Sequence, residues 1–83
     1  MRPFAEGKNL KRVTGTKQVL KALDAGNVSV VYIARDADDF LRGKLHKACR
    51  EHEVDIQWVD TMQELGRQCG IAVGSATAAE LYD

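Results

Sequence analysis

Apolar positions recur at two different spacings along this chain, and these spacings predict its elements. From Thr16 to Ala25 the apolar residues form one stripe at helical spacing, and Gly26-Asn27 supplies a left-handed stop. Val28 to Ala34 is a nearly continuous apolar run rich in β-branched residues, which is typical of an interior strand covered on both faces. This part of the chain therefore predicts a helix followed by a buried strand.

The same alternation continues in the middle of the chain. Apolar residues recur at helical spacing from Leu41 to about Glu51, and acids within Asp36 to Asp39 precede them, where the helix dipole favours negative charge. Val54 to Asp60 alternates apolar with polar residues, which predicts a strand with one drier face. Because Trp58 shares the apolar face of that strand, we expect it to lie in the core.

The last third of the chain begins with a capping box, Thr61-Met62-Gln63-Glu64. In this motif the threonine hydroxyl and the glutamate satisfy backbone N–H groups at the start of a helix. It predicts a short helix that runs to Cys69 and ends at Gly70. We expect an apolar loop over Ile71 to Ser75, followed by a last strand over Thr77 to Tyr82.

The order of these elements predicts the fold class. Pro3 followed by Phe4 to Leu10 adds a short helix with proline in its first turn. Helices that alternate with strands on this scale favour a three-layer α/β/α sandwich with a small mixed four-stranded sheet. The 83 residues contain no repeat, low-complexity tract or linker, so we expect a single domain over residues 1–83.

Composition is that of a folded protein without a disulfide framework. Apolar residues make up 45% of the chain, and only one residue is proline, which argues against disorder. Cys49 and Cys69 are too few and too far apart for a disulfide framework or a Cys-x-x-Cys pair. The chain begins without an apolar signal segment and has no run of about 18 apolar residues. We therefore expect a soluble protein of the reducing cytoplasm.

Net charge is zero, yet the charges are unevenly distributed. Residues 1–21 hold six basic residues and one acidic residue, a net charge of +5, whereas the other 62 residues hold six basic and eleven acidic residues, or −5. The total argues against the basic coat of many nucleic-acid-binding proteins. The distribution instead predicts one positive face on a neutral domain, and a polyanion responds to that local field.

The segment Gly15-Thr16-Lys17-Gln18-x-x-Lys21 is the most informative motif. Gly15 stands where the chain turns into a helix, so the first backbone N–H groups of that helix are available to an anion. Lys17 and Lys21 project from the same end of the helix, a pattern suited to phosphates and base edges. The alternative is a solvated helix face with an ordinary capping glycine. The spacing excludes a Walker A loop.

A second motif, Leu65-Gly66-Arg67, precedes Gly70 and the apolar loop of residues 71–75. Exposed aliphatic residues are unfavourable in a free monomer, so the loop either folds into the core or contacts a partner. Taken alone, the loop favours burial of Ile71 and Val73. When the loop is considered together with the Gly15 segment, a second interpretation is that it forms an interaction surface.

Together these motifs resemble a known family. The order Gly15-Thr16-Lys17-Gln18-x-x-Lys21, Val30-Val31-Tyr32-Ile33-Ala34-Arg35-Asp36, Cys49 and Leu65-Gly66-x-x-Cys69-Gly70 is similar to the ribosomal protein seven-Ae and thirty-e superfamily, whose members bind kink-turns in RNA. The resemblance covers roughly residues 12–80. It implies that the turn into the first motif helix and the apolar loop lie side by side and clasp a bent RNA.

The resemblance also implies the RNA-binding residues. They are Gly15, Thr16, Lys17, Gln18, Lys21, Arg67, Ile71, Ala72, Val73 and Gly74. Many family members have Asn-Glu where this chain has Lys17-Gln18, a form that looks like the small bacterial branch. Glutamine keeps a carbonyl acceptor for a guanine amino group, and lysine can donate to guanine O6 or N7. Tandem sheared G·A pairs therefore remain the expected target.

The resulting hypothesis is a non-enzymatic, monomeric RNA-binding module, ribosomal or ribosome-associated, without a cofactor. Because the net charge is zero, we expect selectivity with a shallow salt dependence from about three or four phosphate contacts. The alternative is a protein-interaction module on the same fold, which would use the apolar loop and the Asp-rich helix start. An enzyme has the least support, since no cofactor motif is present.

Two groups of residues have some features of metal sites. Asp36, Asp38 and Asp39 carry carboxylates of the kind that bind hard cations, but acids at a helix start more often act as caps and dipole partners. His46, Cys49 and His52 spread over about 120° of a helix, and Cys49 falls on the apolar stripe. We therefore expect a core thiol, two surface histidines and no metal site.

Overall fold

The computed structural model describes residues 11–71 and 73–82, and it contains the predicted alternation of helices and strands. The elements are β1 (Lys11–Thr14), α1 (Thr16–Ala25), β2 (Val28–Ala34), α2 (Asp39–Glu51), β3 (Asp55–Val59), α3 (Met62–Gln68) and β4 (Thr77–Leu81). Each helix and strand predicted within the described residues is confirmed, with small differences at the ends. The helix predicted over residues 4–10 lies outside the described residues.

The four strands form one mixed sheet in the order β1-β4-β2-β3. Strand β2 pairs in parallel with β3 and antiparallel with β4, and β4 pairs antiparallel with β1. The continuous apolar run of β2 fits this central position, where both faces are covered. The hydrophobic pattern did not locate β1, because this edge strand is only four residues long and half exposed.

Helices cover both faces of the sheet, which confirms the α/β/α sandwich. Helices α1 and α2 pack on one face, and α3 packs on the other. The first core contains Val19, Ala22, Leu23, Val28, Val31, Ile33, Leu45, Cys49 and Ala79. The second contains Val30, Tyr32, Ala34, Ala37, Val59, Leu65 and Ala78. The alternate residues of β2 thus contribute to two separate cores.

Strand direction brings several chain segments to one end of the sheet. Strands β1, β2 and β3 run the same way, and β4 runs against them. We call this end the carboxyl edge, formed by residues 14–15, 34–36, 59–60 and 75–77. Helices α1 and α2 both begin beside it, and the loop that precedes β4 ends there.

Trp58 does not lie in the core as its alternation predicted. Strand β3 is an edge strand, so the Trp58 side chain is 39% exposed, and the Arg35 guanidinium lies 5.7 Å from the centre of its ring. Arg35 Nε also lies 3.6 Å from an Asp60 carboxylate oxygen. The prediction was wrong because alternation identifies the face of a strand but not the strand's position in the sheet.

Within the described residues, none of the helices has the length and hydropathy that a transmembrane segment requires.

Candidate nucleic-acid interface

Gly15 makes the turn from β1 into α1 at the carboxyl edge. Its backbone has φ 93° and ψ 146°, a region that residues with a Cβ rarely adopt. Its N–H donates to the Thr77 carbonyl at 3.0 Å, and its own carbonyl accepts from the Val19 N–H at 3.0 Å. The glycine therefore starts α1 directly at the end of the sheet.

The N-terminus of α1 differs from those of the other two described helices. Asp38 caps α2 and Asp39 lies in its first turn, while Thr61 caps α3 and Glu64 lies in its first turn. Helix α1 has no side-chain cap, no acid in its first turn, and a cation, Lys17, at its second residue. Lys17 therefore adds positive charge at the positive end of this helix dipole, and no acidic side chain in the first turn balances it.

The predicted contact residues of α1 surround this end. Lys17, Gln18 and Lys21 are exposed, whereas Gly15 and Thr16 are half-buried. The backbone N–H groups of the first helical turn have no acceptor within the helix. Together they offer backbone and side-chain donors to one ligand, and Gln18 adds a carbonyl acceptor.

The loop over residues 70–75 is held against α3 by its backbone. Gly70 ends the helix region with φ +77°, and the Ile71 N–H donates to the Gly66 carbonyl at 3.0 Å. At the other end of the loop, the Ser75 N–H donates to the Met62 carbonyl at 3.0 Å. The backbone of this loop is thus joined to both ends of α3.

The apolar side chains of this loop face solvent. Val73 is 71% exposed and Ile71 is 38% exposed, so the burial favoured by the loop's sequence alone is not found. Gly74 is also exposed, and Ala72 lies outside the described residues. Exposed aliphatic groups on a hydrogen-bonded loop are typical of an interaction surface.

One carbonyl joins the loop to the start of α1. The Thr77 carbonyl accepts from the Gly15 N–H at 3.0 Å and from the Ser75 hydroxyl at 2.8 Å. The Thr77 hydroxyl donates to the Tyr32 carbonyl at 2.7 Å, which holds this residue on the central strand. The structure therefore places the Gly15 segment and the apolar loop side by side.

Arg67 differs from the other predicted contact residues. It lies on α3, and its side chain is 71% exposed. Its guanidinium lies 3.1 Å from a Glu64 carboxylate oxygen one turn earlier. Since such exposed pairs are weak, the arginine can leave Glu64 for a phosphate at small energetic cost.

The acids before α2 have structural partners. Asp36 accepts from the Met62 N–H at 2.8 Å, Asp38 accepts from the Leu41 N–H at 3.4 Å, and Asp39 pairs with Arg42. No group of three residues suited to a metal ion occurs within the described residues. These aspartates therefore act as the caps and ion-pair partners that the sequence favoured.

The His46-Cys49-His52 set is divided between the core and the surface of α2. Cys49 is fully buried, and burial raises the pKa of its thiol to about 11. His46 and His52 are exposed, and His52 lies 3.5 Å from Asp24 of α1. The structure confirms a core thiol between two surface histidines.

The residues that hold the two motifs together were not predicted from the sequence. Ser75 and Thr77 join the loop to α1, and Asp36 anchors the first residue of α3. Serine, threonine and aspartate are common at strand and helix ends, so these long-range bonds have no recognisable sequence pattern.

Comparisons with known proteins identify the family of this chain. The model of the ribosomal protein L7Ae/L30e/S12e/Gadd45 family matches residues 6–81. An RNA-binding protein of Caldanaerobacter subterraneus subsp. tengcongensis is 52% identical over 71 residues, which are 86% of this chain and 87% of that protein. The large ribosomal subunit protein eL8 of Halobacterium salinarum is 35% identical over 66 residues, 78% of this chain and 55% of that protein.

A solved structure shows the same architecture. The 15.5kD RNA binding protein of Giardia lamblia superimposes with a TM-score of 0.75 at 28% sequence identity, covering 87% of this chain and 61% of that chain. The similarity therefore extends over nearly the whole described fold. The chain belongs to the ribosomal protein L7Ae/L30e/S12e/Gadd45 family.

Proposed function

We propose that this protein binds RNA and recognises a kink-turn, or a similar sharply bent internal loop, through tandem sheared G·A pairs. The observation that carries the proposal is the bifurcated Thr77 carbonyl, which joins an uncapped, cation-bearing helix N-terminus to an exposed apolar loop. RNA of this kind presents phosphates, guanine edges and unstacked bases close together. The surface offers a matching group for each of them.

The roles of the side chains follow from their chemistry. Lys17, Lys21 and the first N–H groups of α1 bind phosphate oxygens, because donors and positive charge converge there. Gln18 and Lys17 contact guanine edges, the amide as acceptor and the ammonium as donor. Ile71 and Val73 pack on sugars or on an extruded base. Catalysis plays no part, since the chain is a non-enzymatic member of its family.

The names of similar proteins support RNA as the ligand class. The Caldanaerobacter and Giardia relatives are both RNA-binding proteins. The Halobacterium relative is a protein of the large ribosomal subunit. We accordingly propose a ribosomal or ribosome-associated RNA as the cellular target.

Electrophoretic mobility shifts on a standard kink-turn test this proposal. Replacing the G·A pairs with Watson–Crick pairs should weaken binding by roughly 10- to 100-fold, since each well-paired base contact contributes about 1–3 kcal/mol of discrimination. Equal affinity for the two RNAs would contradict kink-turn recognition.

Matched charge reversals locate the interface on the protein. Lys17→Glu should abolish the shift, whereas Lys11→Glu reverses the same charge at the far end of β1 and should leave binding within about twofold. If both variants bind RNA normally while a protein partner is lost on changing Val73, the protein-interaction alternative is correct.

A further inference from the structure

Helix α2 holds most of the positive charge outside the N-terminal segment. Four of the six basic residues beyond residue 21 lie in it, namely Arg42, Lys44, Lys47 and Arg50. Arg42 pairs with Asp39 and donates from Nε to the Ala37 carbonyl at 3.0 Å. The other three are exposed, and within residues 11–71 and 73–82 no carboxylate lies within ion-pairing distance of them.

These three cations follow one another along the solvent face of α2. Lys44, Lys47 and Arg50 are spaced three residues apart, so successive side chains are neighbours about 5–6 Å apart at Cβ. The opposite face of the helix carries Leu45 and Cys49, which are fully buried. The stripe therefore points away from the sheet.

Gly43 lies in the middle of this solvent face. It is exposed, and a Cβ built on it would meet nothing within 4 Å. A glycine inside a helix is less stable than alanine, and no contact in the described chain requires one here. Its small size lets another backbone approach the helix closely beside Lys44, one turn before Lys47. Phe40, one turn earlier, is 75% exposed.

Helix α2 lies beside the proposed RNA site. Helices α1 and α2 pack on the same face of the sheet and both begin at the carboxyl edge. Their far ends meet where His52 lies 3.5 Å from Asp24. Packed helices are about 8–10 Å apart, so a duplex arm that leaves the first turn of α1 and follows α2 away from the carboxyl edge would meet the three cations.

We propose that the solvent face of α2, formed by Phe40, Gly43, Lys44, Lys47 and Arg50, is a second RNA contact that binds the phosphate backbone of a duplex arm next to the bent loop. This inference rests on the proposed RNA-binding function. Unpaired cations complement a phosphate backbone, and duplex RNA is bound largely through phosphates and shape. Contacts on this face increase the affinity for RNA but do not distinguish one base sequence from another.

Three RNAs and one triple variant test the inference. The RNAs are a kink-turn with minimal arms and the same kink-turn with either arm extended as duplex. Lys44→Gln, Lys47→Gln and Arg50→Gln combined should leave the minimal RNA bound within about twofold. With one extended arm, affinity should fall about 10-fold, and the slope of log affinity against log salt should become shallower by about 2.

The charge-preserving combination Lys44→Arg, Lys47→Arg and Arg50→Lys is the matched control, and it should retain the wild-type slope. Identical affinities and slopes for wild type and the neutral triple variant on both extended RNAs would overturn the inference.

Gly43→Gln provides an independent test, because it should raise the melting temperature and lower the affinity for RNA. The melting temperature should rise by a few degrees, because glutamine is the better helix former. Affinity for the extended RNA should fall several-fold, because the new side chain blocks close approach. A higher melting temperature with unchanged affinity would contradict the inference. Failure of the proposed function gives a different result, equal binding of wild type to intact and G·A-replaced kink-turns.

Discussion

Gly66 is the residue at which side-chain size determines the position of the apolar loop. A Cβ built on Gly66 would lie 2.2 Å from the Val73 carbonyl oxygen and 3.0 Å from the Gly74 Cα. Both neighbours are backbone atoms, so the loop would have to move. Glycine is therefore favoured at position 66 because the loop approaches the helix too closely to leave room for a Cβ atom.

We expect Gly66→Ala to destabilise the protein by about 1–3 kcal/mol, as overpacking does, although alanine is the better helix former. Displacement of the loop should also weaken kink-turn binding. Urea unfolding and mobility shifts at a temperature where the variant is folded measure the two effects.

Gly43→Ala is the matched control, because it adds the same methyl group to a helix where nothing lies within 4 Å. This change should raise stability by up to about 1 kcal/mol. If Gly66→Ala also raised stability, the inference that the loop leaves no room for a Cβ at Gly66 would be wrong.

At the scale of elements, a short series of hydrogen bonds connects β2 to the loop through α3. The Asp36 carboxylate, just after β2, accepts from the Met62 N–H at 2.8 Å. The Met62 carbonyl then accepts from the Ser75 N–H at 3.0 Å. The first residue of α3 is therefore held on one side by the sheet and holds the loop on the other.

Asp36→Ala should lower the free energy of unfolding by about 1 kcal/mol, as loss of a helix cap does. Affinity for the kink-turn should also fall several-fold, because the start of α3 and the attached loop lose one anchor. Denaturant unfolding and mobility shifts measure both quantities.

The appropriate comparison is Asp38→Ala. Asp38 caps α2 through a 3.4 Å bond to the Leu41 N–H, and no hydrogen bond in the described residues connects it to the loop. We expect Asp38→Ala also to lower stability but to leave RNA affinity unchanged. Equal affinities for the two variants would show that the anchor at Asp36 does not support the interface.

At the scale of the whole molecule, buried ionisable groups make stability depend on pH. Burial, with the nearby negative charge of Glu80, raises the pKa of Tyr32 from 10.0 to about 12. Glu80 itself is only 3% exposed. The folded protein therefore retains the Tyr32 proton at a pH at which the unfolded chain releases it.

Stability should consequently fall as the pH rises from 10 towards 12, because the unfolded state binds fewer protons there than the folded state. The contribution of Tyr32 is complete below pH 10 and is reduced by about 1 kcal/mol at pH 11. Urea unfolding between pH 8 and 11 measures this decline.

Tyr32→Phe removes the titrating group and should make the alkaline decline shallower, while lowering stability at pH 7 through loss of the hydrogen bond to Glu80. The buried Cys49 thiol, whose pKa is also raised, adds to the alkaline loss of stability in both the wild type and the variant. Parallel stability curves for the variant and wild type would show that Tyr32 does not titrate as inferred.

The charge distribution also acts at this scale. The sequence predicted a positive face from residues 1–21, and α2 adds a second cluster of cations within the otherwise acidic remainder. Summation along the chain concealed this cluster, because nine of the eleven acids of the remainder lie outside α2, which contains only Asp39 and Glu51. A polyanion meets the spatial arrangement of charge rather than its sum.

The sequence by itself determined the helices, the central strand and the motif segments, because helical and strand periodicities and caps such as Thr61 depend on residues within one or two turns. Only the tertiary structure decided that β3 lies at the edge and leaves Trp58 half exposed, and that the Thr77 carbonyl joins Gly15 to Ser75. Strand order and these bonds arise from contacts between residues far apart in the chain, which local pattern does not encode.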